Sequence, residues 1–273
     1  MAGRCWPTWS GRLNEGREGI QPNQWGESEI RGPVHLFRER LLLRLFARMQ
    51  PGPRVLDAGC GSGSLALDLC RKGFDVTAFE YSEEFTNLLR QKIIGLRLEK
   101  RMSICRGSAT ALAYGGERFD GLVCGEVLEH LSPELGGDEA AVREFHRVLR
   151  PGAPCVASVP LNPKLWDHSD EWAGHVKRYT RVQFFELFSR CGFQVEEVRV
   201  WGFPLGRIYH RLLFAPWLLK TAGQQAQVRD KRLDTRAAGR AGLVELAAGL
   251  LRVDELFWRW PWGRGMVLCA RRV

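Results

Sequence analysis

The chain lacks any apolar run long enough to cross a membrane. The longest apolar stretch we considered, L-L-F-A-P-W-L-L at 212–219, is short and contains Pro216, whereas a spanning helix needs ~20 apolar residues. The opening residues M-A-G-R-C-W-P-T-W-S-G-R also lack the apolar stretch of a secretory signal peptide. The expected location is therefore the cytoplasm, with contact to a membrane surface as a second expectation that depends on the C-terminal part of the chain.

Paired cysteine motifs are absent as well. The chain has eight cysteines and no C-x-x-C pair, and several of them lie in apolar runs. This pattern predicts buried free thiols in a reducing compartment, and it argues against a disulfide framework or a zinc ribbon.

Net positive charge is small over most of the chain and concentrated near its end, because residues 1–201 hold nearly as many Asp and Glu as Lys and Arg. The net charge is +9, and residues 202–273 hold 13 Lys and Arg against 5 Asp and Glu. The C-terminal part can therefore attract anionic partners, or it can be a solvated basic surface without a partner. The overall content of 45% hydrophobic and 26% charged residues is that of an ordinary globular protein.

Short apolar strands alternate with amphipathic helices along most of the chain. A helix is expected from His35 to Met49, where leucines recur at helical spacing, and P-G-P at 51–53 ends it. Strands are predicted at 54–58, 75–80, 103–106, 119–124, 153–159, 194–201 and 265–271, and helices at 64–72, 83–95, 138–149 and 181–191. This alternation predicts an α/β fold: a seven-stranded, mostly parallel Rossmann-like sheet with helices on both faces and an antiparallel last strand.

The last two predicted strands bracket about sixty residues instead of a short turn. The domain organisation we expect has four parts: an N-terminal, partly irregular segment at 1–34, a core at 35–201, a basic aromatic-rich insertion at 202–262 and the final core strand at 263–273.

A glycine-rich turn follows the first predicted strand in L-D-A-G-C-G-S-G at 56–63. Glycines allow the backbone to approach a ligand closely, and the next helix begins where an anionic group is favoured. Glu80 ends the second strand nineteen residues after Gly61, where an acid suits a ribose diol. The stretch G-S-G-S-L-A at 61–66 also fits a dinucleotide pattern, which keeps a nicotinamide oxidoreductase as a distant alternative.

Asp57 before the G-x-G-x-G run resembles motif I of the class I S-adenosylmethionine (SAM) methyltransferases, and L-R-P-G-A at 149–153 is similar to that family's turn into strand five. The resemblance implies SAM as cofactor, with the glycine loop at the methionine moiety, Glu80 at the ribose and residues 106–109 at the adenine. The family often has an acid where Ser108 stands, so Ala109 backbone is the alternative contact there. The implied SAM-binding residues are Asp57, Gly59, Cys60, Gly61, Gly63, Glu80, Tyr81, Ser108, Ala109 and Cys124.

Two carboxylates and a histidine follow the fourth strand in G-E-V-L-E-H-L at 125–131. A helix starting there would place Glu126, Glu129 and His130 on one face at the ligand-binding edge of the sheet. Such a group can hold a divalent cation, with Mg²⁺ or Mn²⁺ favoured by its oxygen ligands. The alternative is that Glu126 orients the methionyl ammonium and the other two side chains have supporting or surface roles. His175 is the expected fourth ligand or general base, with His168 as the weaker choice.

E-V-L-E-H at 126–130, S-V-P-L-N-P-K-L-W at 158–166, G-H-V-K-R-Y at 174–179 and P-V-H at 33–35 resemble the ubiquinone-biosynthesis O-methyltransferases. The resemblance implies O-methylation of a small or lipid-linked hydroxylated acceptor, possible cation assistance, and His175 and Glu126 as catalytic residues. Two alternatives stay open: an RNA 3′-terminal 2′-O-methyltransferase, whose E-x-x-E-H pattern is similar, and a non-catalytic SAM-fold binding protein.

The insertion mixes aromatic, leucine and basic residues, in W-G-F-P-L-G-R-I-Y-H-R-L-L-F-A-P-W-L-L-K at 201–220 and W-R-W-P-W at 258–262. Such segments can pack on a sheet, close over an apolar substrate or lie at a membrane interface. R-D-K-R at 229–232 is expected to be a solvated loop. Stacking aromatics beside basic residues also suit single-stranded nucleic acid, but no RNA-binding module is recognisable, so nucleic acid is not the expected partner.

Overall fold

The computed structural model describes residues 32–221 and 241–273. Residues 1–31 of the predicted N-terminal segment, and the R-D-K-R run at 229–232, lie outside these ranges.

A seven-stranded sheet forms the centre of the molecule, in the order β3-β2-β1-β4-β5-β7-β6. The first five strands are parallel neighbours, and β7 runs antiparallel to both β5 and β6. The strands are β1 (Arg54–Ala58), β2 (Asp75–Glu80), β3 (Met102–Arg106), β4 (Gly121–Gly125), β5 (Pro154–Pro160), β6 (Phe193–Trp201) and β7 (Gly265–Arg272). This confirms the predicted mostly parallel sheet with its antiparallel last strand.

Helices cover both faces of the sheet because successive strand side chains point to opposite sides. One buried apolar cluster joins the sheet to the helices at 33–48, 64–71 and 83–95, and the other joins it to the helices at 137–148 and 181–190. Leu122 and Val123 illustrate the alternation, since they belong to different clusters. The helices are α1 (Pro33–Arg48), α2 (Ser64–Arg71), α3 (Glu83–Gly95), α4 (Gly137–Val148), the short α5 (His168–Ala173) and α6 (Arg181–Arg190).

The described parts of the insertion are helical. α7 (Leu205–Tyr209) continues through a π-helical turn (His210–Phe214) into α8 (Ala215–Thr221), and α9 (Ala241–Leu250) continues into a 3₁₀ helix (Leu251–Phe257). The buried Asp254 carboxylate accepts hydrogen bonds of 2.8 Å from the Leu205 and Gly206 N–H groups, which ties the two helical parts together. Within the described ranges, every helix falls short of the length and apolarity that crossing a bilayer requires.

The prediction of an α-helix directly after β4 is wrong. The chain leaves β4 at Gly125, Glu126 adopts a left-handed backbone with φ = 58°, and a single 3₁₀ turn follows at Leu128–His130. Because Glu126 lies before this turn and turns away from it, Glu126 does not share a helical face with Glu129 and His130. The other predicted elements are present, with ends shifted by a residue or two.

Candidate functional site

The candidate site lies where the strand order reverses, between β1 and β4. In open α/β sheets, ligands bind beyond the carboxyl ends of the strands at such a point. The glycine turn leaves β1 here, and the 126–130 segment leaves the adjacent β4. The two motifs touch, because a Cβ on Gly59 would overlap the Val127 side chain.

The glycine turn needs its glycines for two different reasons. Gly59, Gly61 and Gly63 all have left-handed backbones, with φ of 77°, 52° and 84°, which other residues adopt only at a cost. Side chains at positions 59 and 63 would also collide with Val127 and Leu89 respectively. A Cβ at Gly61 would meet no atom within 4 Å. The turn is therefore tightly packed at Gly59 and Gly63 and open at Gly61, which leaves backbone accessible to a ligand.

Acidic side chains crowd the base of this turn. Burial, together with the neighbouring Glu39 and Glu80 carboxylates, raises the pKa of Asp57 to about 8. The Oδ2 atom of Asp57 has no hydrogen-bond partner among the described residues. Glu39, also buried, accepts a hydrogen bond from the Ser64 hydroxyl at the start of α2. The buried Asp57 carboxyl, which keeps one oxygen without a described partner, is suited to a cationic ligand group.

Glu80, the last residue of β2, is hydrogen-bonded to the glycine turn. Its carboxylate accepts 2.8 Å hydrogen bonds from the Gly61 N–H and from the Ser82 N–H. Each carboxylate oxygen keeps acceptor capacity for a further donor such as a ribose hydroxyl. The predicted acid is therefore at the mouth of the turn, next to the exposed Tyr81.

The remaining predicted SAM-binding residues vary in exposure. Cys60 and Cys124 are buried, and burial raises the pKa of both thiols well above the ordinary value. Ala109 is buried, while the Ser108 hydroxyl lies 2.8 Å from the Thr110 hydroxyl. The seven cysteines within the described residues are free thiols, and all of them except Cys105 are buried.

Glu126 is separated from the expected metal group. One carboxylate oxygen accepts a 2.8 Å hydrogen bond from the Ser158 hydroxyl, and the other lies 3.5 Å from the buried Arg38 guanidinium. Its left-handed φ is uncommon for a residue with a side chain, and such strain concentrates at functional sites. The structure thus assigns Glu126 a cationic partner from α1 that the sequence pattern did not indicate.

Glu129, His130 and His175 form the group that the structure does bring together. One ligating atom from each lies within 4.8 Å of the others. Both Glu129 carboxylate oxygens are buried without a hydrogen-bond partner among the described residues, and the His175 Nε2 lies 3.8 Å from one of them. Burial and the Glu126 charge raise the pKa of Glu129 well above its usual value, while burial and His175 lower the pKa of His130 to about 4.

Asp170 fixes the orientation of His175. The His175 Nδ1 lies 2.8 Å from the Asp170 carboxylate, which also accepts a 2.7 Å hydrogen bond from the Arg178 Nε. Burial alone would raise the pKa of Asp170, but the hydrogen bonds from His175 and Arg178 outweigh burial and lower it. With Nδ1–H donated to the carboxylate, Nε2 presents its lone pair toward Glu129. His168 lies elsewhere, with Nε2 3.4 Å from the Ala215 carbonyl.

Sequence reasoning missed Arg38, Glu39, Asp170 and Ser158. A signal existed for Arg38, since it falls on the same helical stripe as Leu42, Leu45 and Met49 and so had to be buried. Ser158 begins the 158–166 stretch that carries the family resemblance, but no spacing pattern indicates its contact with Glu126, because it lies inside a strand.

Comparisons with known proteins relate the chain to methyltransferases. Residues 56–157 match a family model described as a methyltransferase domain. A ubiquinone biosynthesis O-methyltransferase of Xanthomonas axonopodis pv. citri (strain 306) is 31% identical over 140 residues, which are 50% of this chain and 56% of that protein. The chain thus spans a little over half the length of this relative.

Solved structures share the fold. A putative sarcosine dimethylglycine methyltransferase from Galdieria sulphuraria has a TM-score of 0.61 at 16% identity, covering 88% of this chain and 85% of that one. The geranyl diphosphate C-methyltransferase of Streptomyces coelicolor A3(2), solved with Mg²⁺, geranyl diphosphate and S-adenosyl-L-homocysteine, has a TM-score of 0.59 at 14% identity, covering 86% and 79%. Residues 56–157, which contain the glycine turn and the second-strand acid, match the methyltransferase-domain family, and over the aligned residues the chain is similar to the ubiquinone biosynthesis O-methyltransferases.

Proposed function

We propose that the chain transfers a methyl group from SAM to a hydroxyl of a small or lipid-linked acceptor. The observation that carries the proposal is the contact between two motifs at one sheet edge. The glycine cradle after β1 lies directly against the segment that holds Glu129 and His130 after β4. A donor site and a group able to take a proton therefore adjoin each other.

The donor site fits SAM through charge and shape. SAM supplies a sulfonium-activated methyl group, and it carries positive charge that the Asp57, Glu39 and Glu80 carboxyls complement. The open space above Gly61 admits a ligand against the backbone. The 2.8 Å bonds from Gly61 and Ser82 hold Glu80 ready for a ribose diol.

The acceptor hydroxyl must lose a proton as its oxygen takes the methyl group. His175 is suited to remove this proton, because Asp170 holds Nδ1–H and leaves Nε2 as the acceptor. Holding the two reactants in line contributes up to ~7–11 kcal/mol in favourable cases. The site's task is thus positioning plus removal of one proton.

A divalent cation is the second way to promote the same proton loss. The unpartnered Glu129 carboxylate with the His130 and His175 rings is a plausible ligand set, and a cation there would supply Lewis acidity toward an acceptor oxygen. The set lacks Glu126, so it has one carboxylate and two imidazoles. That composition favours a metal suited to imidazole, such as Fe²⁺ or Zn²⁺, over Mg²⁺ or Mn²⁺.

The experiment begins with isothermal titration of S-adenosylhomocysteine into the full chain. Micromolar affinity is expected. Methyl transfer from labelled SAM is then measured with catechols and polyprenylated phenols, with chelator, Mg²⁺ or Mn²⁺ present. Absence of binding under every condition would leave a non-catalytic protein of this fold.

Two histidine variants test the chemistry. His175→Ala is expected to lose about 10²–10⁴-fold in turnover while binding S-adenosylhomocysteine normally. His168→Ala is the matched control and is expected to retain activity. Full turnover in His175→Ala would refute the role of His175. Activity that survives chelation would favour proton removal by His175 without a metal.

A further inference from the structure

An exposed apolar stripe runs along α9 and the 3₁₀ helix that follows it. The side chains of this leucine stripe are 44–80% exposed, and they are Leu243, Leu246, Leu250, Val253 and Leu256. The α-helical part repeats every three to four residues, and the 3₁₀ part every three, which matches the period of each helix type. The five side chains therefore share one continuous face.

The opposite face of the same segment is fixed to the core. Ala248, Leu251 and Asp254 are buried. On the flanks, Glu245 accepts a 2.8 Å hydrogen bond from Arg40, and Glu255 accepts a 2.6 Å hydrogen bond from Arg44, both from α1. The leucine stripe is thus held outward by a rigid attachment on its other side.

Exposed tryptophans extend this surface at the end of the 3₁₀ helix. Trp260 and Trp262 are 45% and 51% exposed, with ring centroids 5.2 Å apart, and they pack against Phe203. Tryptophan is enriched where one side of a ring is apolar and the other is wet, as at the headgroup level of a bilayer.

The charge pattern of the segment favours an anionic surface. Arg252 and Arg259 are exposed; the Arg252 Nε lies 3.8 Å from Glu255, and Arg259 lies over the Trp258 ring. Glu245 and Glu255 also pair with Arg40 and Arg44 of α1, and Asp254 is buried as a backbone cap. Along the sequence, residues 202–273 carry 13 Lys and Arg against 5 Asp and Glu. Two copies meeting through this surface would bring like charges together, whereas an anionic bilayer complements both the leucines and the arginines.

We propose that the leucine stripe, with Trp260 and Trp262, docks on an anionic lipid bilayer, the apolar side chains entering the headgroup–acyl boundary and Arg252 and Arg259 contacting phosphates. This interfacial contact does not depend on methyl transfer, so it stands or falls separately from the proposed activity. It would place the domain at the surface where a lipid-linked acceptor resides.

The test is co-sedimentation of the full chain with vesicles of phosphatidylcholine alone and with 30% phosphatidylglycerol. Binding is expected to the anionic vesicles and to weaken as salt rises. The variant Leu243→Gln/Leu246→Gln/Leu250→Gln is expected to bind about tenfold more weakly or worse, because three half-exposed leucines no longer leave water. Arg252→Gln/Arg259→Gln is expected to lose the preference for the anionic lipid.

The control is Ile94→Gln/Val182→Gln, which removes comparably exposed apolar side chains elsewhere and should bind as the wild type does. Thermal melts of every variant confirm folding, so that lost binding reports the surface. Failure of the wild-type protein to co-sediment with the anionic vesicles would overturn the proposal. So would a leucine variant that binds normally, or a dimer that sediments without lipid and dissociates in the leucine variant.

Discussion

Replacing Asp57 by Asn should make the ligand-free protein more stable and should weaken the binding of S-adenosylhomocysteine. Asp57 is buried beside Glu39, Glu80 and Cys60, and its pKa is raised to about 8 from 3.8. Between these two values the folded protein keeps a proton that the unfolded chain releases. Folding stability therefore falls as pH rises through this window, by about 1.4 kcal/mol per pH unit for this one group.

Asn cannot ionise, so this part of the slope disappears in Asp57→Asn. At pH 7 the ligand-free variant should exceed the wild type by about 2 kcal/mol or more, and the two should converge near pH 4. Urea unfolding at pH 4.5, 5.5, 6.5 and 7.5 measures the difference. Asp75→Asn, at an exposed carboxyl on the amino end of β2, is the matched control.

Ligand binding should change in the opposite direction. A charged hydrogen bond contributes about 1.5–3 kcal/mol, so S-adenosylhomocysteine should bind roughly 10–150-fold more weakly to Asp57→Asn. Wild-type protein should also release protons on binding at pH 7, seen as a buffer-dependent titration enthalpy, and the variant should not. Identical pH slopes in variant and wild type would show that Asp57 is already ionised in the free protein, which would refute the electrostatic argument.

The other predictions concern the turn and the insertion. Gly61→Ala should cost about 1 kcal/mol of stability for its left-handed backbone yet abolish S-adenosylhomocysteine binding, since its Cβ enters the open space above the turn; unchanged affinity would place the ligand elsewhere. Gly59→Ala should instead cost about 2–4 kcal/mol, because strain and overlap with Val127 add, and chemical unfolding checks the difference between the two variants. Asp254→Ala should cost about 2–3 kcal/mol because two backbone N–H groups lose their shared acceptor, whereas Asp75→Ala should change unfolding little; equal effects would contradict the bridging role of Asp254.

Local sequence patterns were sufficient for the fold. Helix α3 begins at Glu83 and ends at Gly95 as predicted, because Ser82 accepts a hydrogen bond from the Phe85 N–H and the apolar spacing continues to Ile93. The strands follow from short apolar runs, of which β2 ends at the acid Glu80 and β4 at Gly125. Where these signals are weak, boundaries moved: β4 begins at Gly121 and not at Phe119, which forms only an isolated bridge with Leu149.

The site was predictable as a set of residues but not as an arrangement. Glu129, His130 and His175 were expected together and do lie together, because the carboxyl ends of parallel strands share an edge. Helical spacing gives the wrong position for Glu126, because the direction of its side chain is set by a left-handed φ and by partners from α1 and β5. The spacing of residues within one segment cannot predict contacts with side chains on a distant helix and strand. Arg38 pairs with the Glu126 carboxylate, which leaves the proposed cation site with one carboxylate and two imidazoles. The preference of the site for an imidazole-binding metal over Mg²⁺ therefore depends on a residue of α1 that lies far from the E-x-x-E-H motif in the sequence.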